Sequence, residues 1–245
     1  MAAAIEVSGV SKSFRIPHEQ RTYLKEYFLH PFSRTTYERN EALKDVTFSV
    51  EAGEFFGVFG PNGSGKSTLL RILAGIYVPD TGLVRVSGLL SPFIELGVGF
   101  NLELNARDNI RINSTLAGLN KRQLDERFEE ILAFSELERF VDQKLKNYSS
   151  GMLMRLAYSI AIQIPFDVLL LDEVLAVGDE SFQEKCFTTF ERFREDGKTI
   201  VLVTHQFDLL RRFCDRVLLL EKGVVRVVGS PGEVIEVPRE GALVG

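Results

Sequence analysis

A glycine-rich run that ends in lysine and serine has the residue types and spacing that bind phosphate. The run from Gly60 to Ser67 matches G-x-x-x-x-G-K-[ST], in which glycines let backbone N–H groups approach phosphate oxygens without a Cβ in the way. Lys66 supplies a positive charge for the terminal phosphates, and Ser67 supplies a hydroxyl for Mg²⁺. We expect a nucleoside triphosphate to contact Gly60, Pro61, Asn62, Gly63, Ser64, Gly65, Lys66, Ser67 and Thr68.

Two adjacent carboxylates, Asp172 and Glu173, follow the apolar run from Val168 to Leu171. In a parallel sheet, the carboxyl end of such a strand lies beside the phosphate loop. There Asp172 could hold Mg²⁺ through water, and Glu173 could orient and polarise a water that attacks the last phosphate. An Asp-Glu pair after a strand is often only a helix cap, but the phosphate pattern upstream favours the metal and water roles.

Short apolar runs alternate with longer amphipathic stretches, which is typical of an α/β protein with a mainly parallel core sheet. The phosphate pattern lies between an expected strand and an expected helix at Ser67 to Ala74, as such a loop requires. The other expected strands include a hairpin across Lys222 and Gly223. The strands are Ile5 to Ser8, Thr47 to Val50, Phe55 to Phe59, Leu83 to Val86, Val168 to Leu171, Thr199 to Val203, Arg216 to Leu220 and Val224 to Val228.

Residues from about 101 to 164 have a helical pattern instead. Pro165 ends this block before the next strand begins. We expect a helical subdomain here, inside one domain that spans residues 1–245. The apolar residues that recur at helical spacing are Leu116, Leu119, Leu124, Phe128, Ile131 and Leu132.

An inserted helix is expected at about residues 18–34. Tyr23, Tyr27 and Phe28 fall on one of its faces, with arginine and lysine residues around them. Composition alone favours a surface helix that packs on its own domain. The alternative is a helix that meets membrane headgroups or a membrane partner, because aromatic and basic faces suit that boundary.

Composition excludes several classes of protein. The 29 Lys and Arg residues against 34 Asp and Glu residues give a net charge of −5, which argues against nucleic acid as a partner. No run approaches the roughly 18 apolar residues that a membrane span needs. Cys186 and Cys214 are too far apart for a redox pair and are expected to be reduced core residues of a cytosolic protein.

The segment Tyr148-Ser149-Ser150-Gly151-Met152, about twenty residues before Asp172, resembles the signature motif of ABC ATPases. The whole chain follows the order of an ABC nucleotide-binding subunit, which implies the P-loop NTPase fold with an antiparallel β region and a helical subdomain. The further residues that match this order are Phe14 as the adenine-stacking aromatic, Asp179 in the D-loop and His205 as the switch histidine.

In that family two subunits close head to tail on ATP and Mg²⁺. The resemblance therefore implies a homodimer in which Ser149, Ser150, Gly151 and Met152 cap the ATP that is held by the other copy. It also implies that Lys66, Glu173 and His205 are catalytic, with His205 contacting the γ-phosphate. Ser67 and Asp172 are implied as the metal ligands.

The sequence departs from the usual family pattern in three motifs. Ser150 replaces a glycine and Met152 replaces a glutamine in the signature, which bears on how tightly it caps the phosphate. The usual Q-loop glutamine is absent, and its substitute is either Asn101 or Glu103. Phe14 stands where tyrosine is commoner, which keeps the aromatic face.

The insertion, the segment from Ser91 to Phe100 and the run from Leu175 to Asp179 look like those of ATPase subunits that export O-antigen, teichoic acid and related polysaccharides. This resemblance implies a transmembrane permease as partner, a lipid-linked polysaccharide as indirect substrate, and a peripheral location on the cytoplasmic face of the inner (plasma) membrane. It places Tyr23, Tyr27 and Phe28 at the permease. Because the chain stops at Gly245, soon after a short helix near Pro231 to Ile235, we expect no C-terminal carbohydrate-binding domain.

The predicted function is ATP hydrolysis that powers polysaccharide export. One alternative is an ABC transport ATPase for another cargo, such as a lipid or a drug. Another is a soluble ABC ATPase that works on DNA or ribosomes, but the long heptad coils or second cassette of those proteins do not occur here. A module that binds ATP without turnover is disfavoured because Lys66, Asp172, Glu173 and His205 are intact.

Overall fold

The computed structural model describes residues 2–17, 37–93, 99–172 and 179–237. Several predicted residues lie outside this part of the chain. They are Glu173, the inserted helix at 18–34 and the three aromatic residues Tyr23, Tyr27 and Phe28.

The strands of the described residues form two sheets. One has the order β5-β6-β7-β3-β8-β9, in which the first five strands are parallel and β9 is antiparallel to β8; the other has the antiparallel order β2-β1-β4. The strands are β1 (Ala3–Pro17), β2 (Tyr37–Glu51), β3 (Phe55–Phe59), β4 (Thr81–Val86), β5 (Leu90–Phe93), β6 (Val168–Asp172), β7 (Thr199–Val203), β8 (Arg216–Glu221) and β9 (Val224–Gly229).

Strands β1 and β2 are much longer than the sequence predicted. The apolar pattern gave only Ile5 to Ser8 and Thr47 to Val50, yet β2 starts at Tyr37 and pairs with β1 as far as Pro17. The first residues of β2, Tyr37 to Glu41, are all exposed. A strand that is solvated on both faces has no apolar alternation, so its sequence does not reveal it.

Strand β5 was not predicted at all. It contains Pro92, which cannot donate a backbone hydrogen bond, and it pairs only with β6, at the edge of the sheet. An edge strand tolerates proline because one side of its backbone needs no partner in the sheet.

Seven α-helices connect the described strands. The phosphate-binding run leads into the first helix, which begins and ends one residue earlier than expected. They are α1 (Lys66–Leu73), α2 (Ala106–Leu116), α3 (Lys121–Ser135), α4 (Ser150–Gln163), α5 (Glu180–Glu195), α6 (Phe207–Phe213) and α7 (Pro231–Ile235), with single 3₁₀ turns at Glu138–Phe140 and Leu145–Asn147.

The core lies on both faces of the mainly parallel sheet. Strands β3 and β7 are buried along their whole length, as are the first four residues of β6, which explains why these runs are apolar throughout. Cys186 and Cys214 are buried and unpaired, as expected. Burial raises the pKa of Cys186 to about 12, so this thiol stays protonated at neutral pH.

Helices α2, α3 and α4 share a separate apolar cluster with the two 3₁₀ turns. Leu124, Phe128, Ile131 and Leu132 contribute to it, as their spacing predicted. Leu116 does not, because it lies at the end of α2 with 77% of its surface exposed. Within the described ranges, no helix combines the length and the apolar character that crossing a bilayer would take.

Candidate active site

The sheet register brings three of the predicted site elements to one end of the mainly parallel sheet. Val58 of β3 is paired with Val203 of β7, and Val203 is in turn paired with Asp172 of β6. Because these strands are parallel, the phosphate loop after β3, the carboxylate that ends β6 and His205 after β7 all leave the sheet at the same end. His205 is exposed at this end of the sheet.

The phosphate loop approaches its neighbours through backbone atoms. A Cβ on Gly65, whose φ is 107°, would lie 2.4 Å from the carbonyl oxygen of Ala42, and a Cβ on Gly60 would lie 2.1 Å from that of Leu220. The hairpin turn also holds the loop, because the Gly223 N–H donates to the Ser64 carbonyl at 2.9 Å. Only glycine fits these positions without moving the surrounding backbone.

Lys66 lies at the start of α1 with only 7% of its surface exposed. Its Nζ donates to the carbonyl oxygens of Gly60 at 2.8 Å and Pro61 at 3.0 Å, which curves the loop around the ammonium group. The helix begins after Gly65 with no side chain capping it. The first-turn N–H groups and the lysine charge therefore lie at the same loop, where both favour an anion.

A cleft of about 540 Å³ opens over this loop. It brings together Phe14, the phosphate loop and Asp172, which are far apart in the sequence. Its lining residues are Phe14, Asn40, Ala42, Asn62, Gly63, Gly65, Lys66, Ser67, Thr68 and Asp172.

Two side chains support the Phe14 ring, which lines the cleft. The Tyr77 ring meets it edge-on, with centroids 5.6 Å apart, and Lys12 Nζ lies 5.7 Å from its centroid. Asp80 fixes β1 at the residue before Phe14. Its carboxylate accepts hydrogen bonds at 2.8 Å from both the N–H and the hydroxyl of Ser13. These bonds and the Lys12 ammonium lower the pKa of Asp80 to about 2, so this carboxylate stays charged at any physiological pH.

The donor set in the cleft fits Mg²⁺. The Ser67 hydroxyl and the Asp172 carboxylate both line it, and both are hard oxygen ligands. Among the described residues no group of three or more His, Cys, Asp or Glu could hold a metal ion. In the usual Mg²⁺ arrangement one or two protein oxygens hold the ion together with the substrate phosphates, and Ser67 and Asp172 are two such oxygen donors.

The predicted signature begins α4 by a serine cap. Ser149 Oγ accepts a hydrogen bond from the Met152 N–H at 3.2 Å, which leaves the hydroxyl proton free to donate outward. Tyr148 anchors this helix end, since its hydroxyl donates to the Phe140 carbonyl at 2.7 Å. Burial raises the pKa of Tyr148 to about 12, so it remains a donor. Ser149 and Ser150 are exposed.

A family model described as ABC transporter matches residues 43–176, from β2 through the end of β6. The chain belongs to the ABC transporter family. Membership implies ATP binding and hydrolysis, and it agrees with a cleft that joins an aromatic residue, a phosphate loop and a carboxylate.

The curated relatives include proteins named for O-antigen and teichoic-acid export. The O-antigen export system ATP-binding protein of Klebsiella pneumoniae is 40% identical over 98% of this chain and 99% of its own length. The ABC transporter protein AbcA of Aeromonas salmonicida is 42% identical over 94% of this chain and 74% of its length. The teichoic acids export ATP-binding protein of Levilactobacillus brevis is 36% identical over 96% and 64%.

Solved structures share the fold. The ATP-binding cassette MJ0796, described as a dimer in a post-hydrolysis state bound to ADP and Pi, superposes with a TM-score of 0.75 at 24% identity. It covers 93% of this chain and 98% of its own. An ATP-binding subunit of an ABC transporter superposes with a TM-score of 0.76 at 22% identity, covering 94% and 91%. The α/β fold predicted from the sequence is therefore confirmed.

Several predicted residues of this ABC ATPase lie outside its own cleft. Ser149, Gly151 and Met152 do not line it, nor do Asp179 and His205. Asp179 caps α5, because its Oδ1 accepts from the Phe182 N–H at 3.1 Å.

The two candidates for the missing Q-loop glutamine also have partners of their own. Asn101 Oδ1 accepts from the Glu103 N–H at 3.0 Å, and its backbone N–H donates to Asn109 Oδ1 at 2.8 Å. The Glu103 carboxylate contacts Lys146 at 3.0 Å and Lys144 at 3.3 Å, and these hydrogen bonds lower its pKa. Neither residue lines the cleft, so the choice between them stays a prediction.

The sequence analysis missed Asn40 and Ala42 in the cleft wall, together with Tyr77 and Asp80 behind Phe14. The first two belong to the unpredicted part of β2. The other two follow α1 and reach Phe14 only through the pairing of β4 with β1. No spacing in the sequence points to such contacts.

A second cavity, of about 640 Å³, lies between β5, α2 and α4. Phe93, Phe100 and Ala157 give it an apolar wall, and the exposed side chains of Ile76 and Leu116 border it. Large apolar side chains that stay exposed at such a cavity are typical of a surface that contacts another protein.

Proposed function

We propose that this chain is the ATP-hydrolysing subunit of an exporter for a lipid-linked cell-surface polysaccharide of the O-antigen or teichoic-acid type. One observation carries the proposal: the match to an O-antigen export ATP-binding protein extends over nearly the full length of both chains. Teichoic-acid export relatives at 36% and 38% identity support the same cargo class. The cleft supports the ATPase part, because it joins an aromatic side chain, the phosphate loop and the Asp172 carboxylate.

In the proposed site, the adenine ring stacks on Phe14 and the triphosphate lies along the phosphate loop. Backbone N–H groups between Gly60 and Thr68, to which Pro61 contributes none, and the Lys66 ammonium bind the phosphate oxygens. Ser67 and Asp172 would hold Mg²⁺, which when bound neutralises charge on the terminal phosphates.

Hydrolysis then needs little covalent help from the protein. Glu173 accepts the proton of a water that attacks the γ-phosphate in line, the bond from the γ-phosphorus to the bridging oxygen breaks, and ADP leaves with that oxygen. His205 keeps the attacking geometry. Lys66 stabilises the charge that develops on the phosphate oxygens. Position and electrostatics therefore account for most of the rate enhancement.

We propose that a second copy completes the site. Ser149, Ser150, Gly151 and Met152 of that copy would face the γ-phosphate with a hydroxyl and the positive end of a helix dipole. Ser149 and Ser150 are exposed, and all four residues lie outside their own chain's cleft, which supports this role.

The proposed location is the cytoplasmic face of the inner (plasma) membrane, where a transmembrane permease binds the chain. The apolar cavity bordered by Ile76 and Leu116 offers one contact surface. Tyr23, Tyr27 and Phe28 of the insertion are proposed as another, on the basis of the sequence resemblance.

One experiment tests both parts of the proposal. Deleting the gene for this chain should abolish surface polysaccharide, and the parental chain should restore it. Glu173→Gln should fail to restore export, and the purified variant should hydrolyse ATP roughly 10²- to 10⁴-fold more slowly while still binding it. Phosphate release and surface-polysaccharide staining are the readouts.

Glu184→Gln is the matched control, because Glu184 is an exposed carboxylate on α5 outside the cleft. It should behave as the parent does in both readouts. Parental ATPase activity in the Glu173→Gln protein would refute the catalytic assignment. Normal surface polysaccharide in the deletion strain would instead point to a lipid or drug cargo.

A further inference from the structure

One arginine connects three elements of the signature region. Arg155 lies on α4, and its guanidinium donates to Glu136 Oε2 at 2.9 Å and to Asp179 Oδ2 at 2.7 Å. Its flat face covers the Phe182 ring, with Cζ 4.7 Å from the centroid. Only 16% of the side chain is exposed. Two edges and one face of the planar guanidinium are thus in contact with other groups. The ammonium group of a lysine could not make these three contacts together.

The carboxylates that it binds both lie at helix ends. Asp179 caps the start of α5, and its two oxygens are shared between Phe182 N–H and Arg155. Glu136 caps the end of α3. Arg155 is six residues beyond Ser149, or about 9 Å along the helix axis. It therefore fixes where α5 begins relative to the signature end of α4.

A second cation strengthens the same connection. Lys185 of α5 contacts Glu136 Oε1 at 3.3 Å and donates to the Phe134 carbonyl at 2.9 Å. Glu136 itself has a φ of 59°, a left-handed conformation that is unfavourable for a non-glycine residue. A strained residue held by two cations from two different helices indicates that the surrounding contacts fix its position.

We infer that Arg155 is a positioning residue that makes the Ser149 end of α4 and the Asp179 end of α5 move as one rigid unit. This inference rests on the proposed closure of two copies on ATP. The Ser149 end is expected to meet the second copy, and fixing it to α5 beforehand removes part of the ordering cost of binding that copy. Arg155 acts through these two ends and does not contact the nucleotide.

The test measures ATP-driven dimer formation by sedimentation in a Glu173→Gln background, where hydrolysis is slow. Arg155→Lys keeps the charge but loses the fork. Asp179→Asn keeps a good helix cap for Phe182 but loses the ion pair. Each change should raise the ATP concentration for half-maximal dimer formation by roughly 3- to 10-fold. The double variant should be no worse than the more severe single one, because both remove the same interaction.

Nucleotide affinity of the monomer, measured below the dimerisation range, separates positioning from general structural support. It should be unchanged in both variants. Arg122→Lys is the control, because the Arg122 pair with Glu126 lies within α3 and its side chain is 87% exposed. It should dimerise at the background ATP concentration. If Arg155→Lys loses its cooperative melting, Asp179→Asn carries the test alone.

Dimer formation at the background ATP concentration in a folded Arg155→Lys protein would overturn the inference. Loss of monomer nucleotide binding in Arg155→Lys would overturn it as well, since the residue would then support the whole domain. If the Glu173→Gln reference itself never dimerises with ATP, the proposed two-copy mechanism fails first. That result appears before Arg155 is changed, so the two failures are distinguishable.

Discussion

The phosphate loop contacts its neighbours through backbone atoms, whereas the start of α4 at Ser149, the predicted signature, is held through side chains. Gly65 lies so close to Ala42 that no Cβ fits between them, and Lys66 is almost fully buried. At the start of α4, the contacts come from the side chains of Tyr148, Arg155 and Asp179. A surface fixed by backbone shape should fail when atoms are added, and one fixed by polar side chains should fail when charges or hydroxyls are removed.

The largest effect is expected at Gly65. Gly65→Ala places a Cβ 2.4 Å from the Ala42 oxygen at a φ of 107°, so the loop must move and the strain remains. We expect about 3 to 5 kcal/mol less stability in urea unfolding and no measurable ATP binding.

Gly63→Ala is the matched control for that variant. Gly63 also has a positive φ, of 77°, but a Cβ added there would meet nothing within 4 Å. Only the conformational cost of about 1 to 2 kcal/mol should appear. Equal losses in the two variants would mean that close approach to Ala42 does not constrain the loop.

An intermediate effect is expected behind Phe14, where the cleft depends on a side chain. Tyr77→Leu removes the ring that meets Phe14 edge-on at 5.6 Å. We expect ATP affinity to fall roughly 2- to 10-fold, while the affinity for inorganic tripolyphosphate, which has no base, stays the same. Calorimetric titration of both ligands gives the ratio.

The exposed Tyr37 of β2 provides the comparison, because it does not line the cleft. Tyr37→Leu should bind both ligands as the parent does. If Tyr77→Leu lowered the affinity for tripolyphosphate as much as that for ATP, Tyr77 would support the whole phosphate loop and not only the Phe14 ring.

The smallest effect is expected at Ser149. Ser149→Ala removes the cap that accepts from the Met152 N–H and should cost about 1 kcal/mol in urea unfolding. Ser149→Asn should recover this stability, since asparagine caps equally well. A loss as large as that of Gly65→Ala would erase the contrast between the two regions.

The elements that the sequence predicted correctly are those with a local pattern. The strands β3, β6 and β7 are apolar because both of their faces are buried, and the hairpin turn at Lys222 and Gly223 has a positive φ at both residues. The elements that it missed are polar or interrupted by proline. The exposed start of β2 and the edge strand β5 are held by pairing with distant segments.

The same division applies to the site. The residue types and spacing between Gly60 and Thr68 determined the phosphate chemistry, because that chemistry needs only a short run of backbone and one lysine. Tertiary structure alone decided that Asn40 and Ala42 form the cleft wall, that Tyr77 supports Phe14, and that Arg155 joins α4 to α5. Such contacts link residues that are distant in sequence, and they form only once strands pair and helices pack, so no local periodicity encodes them.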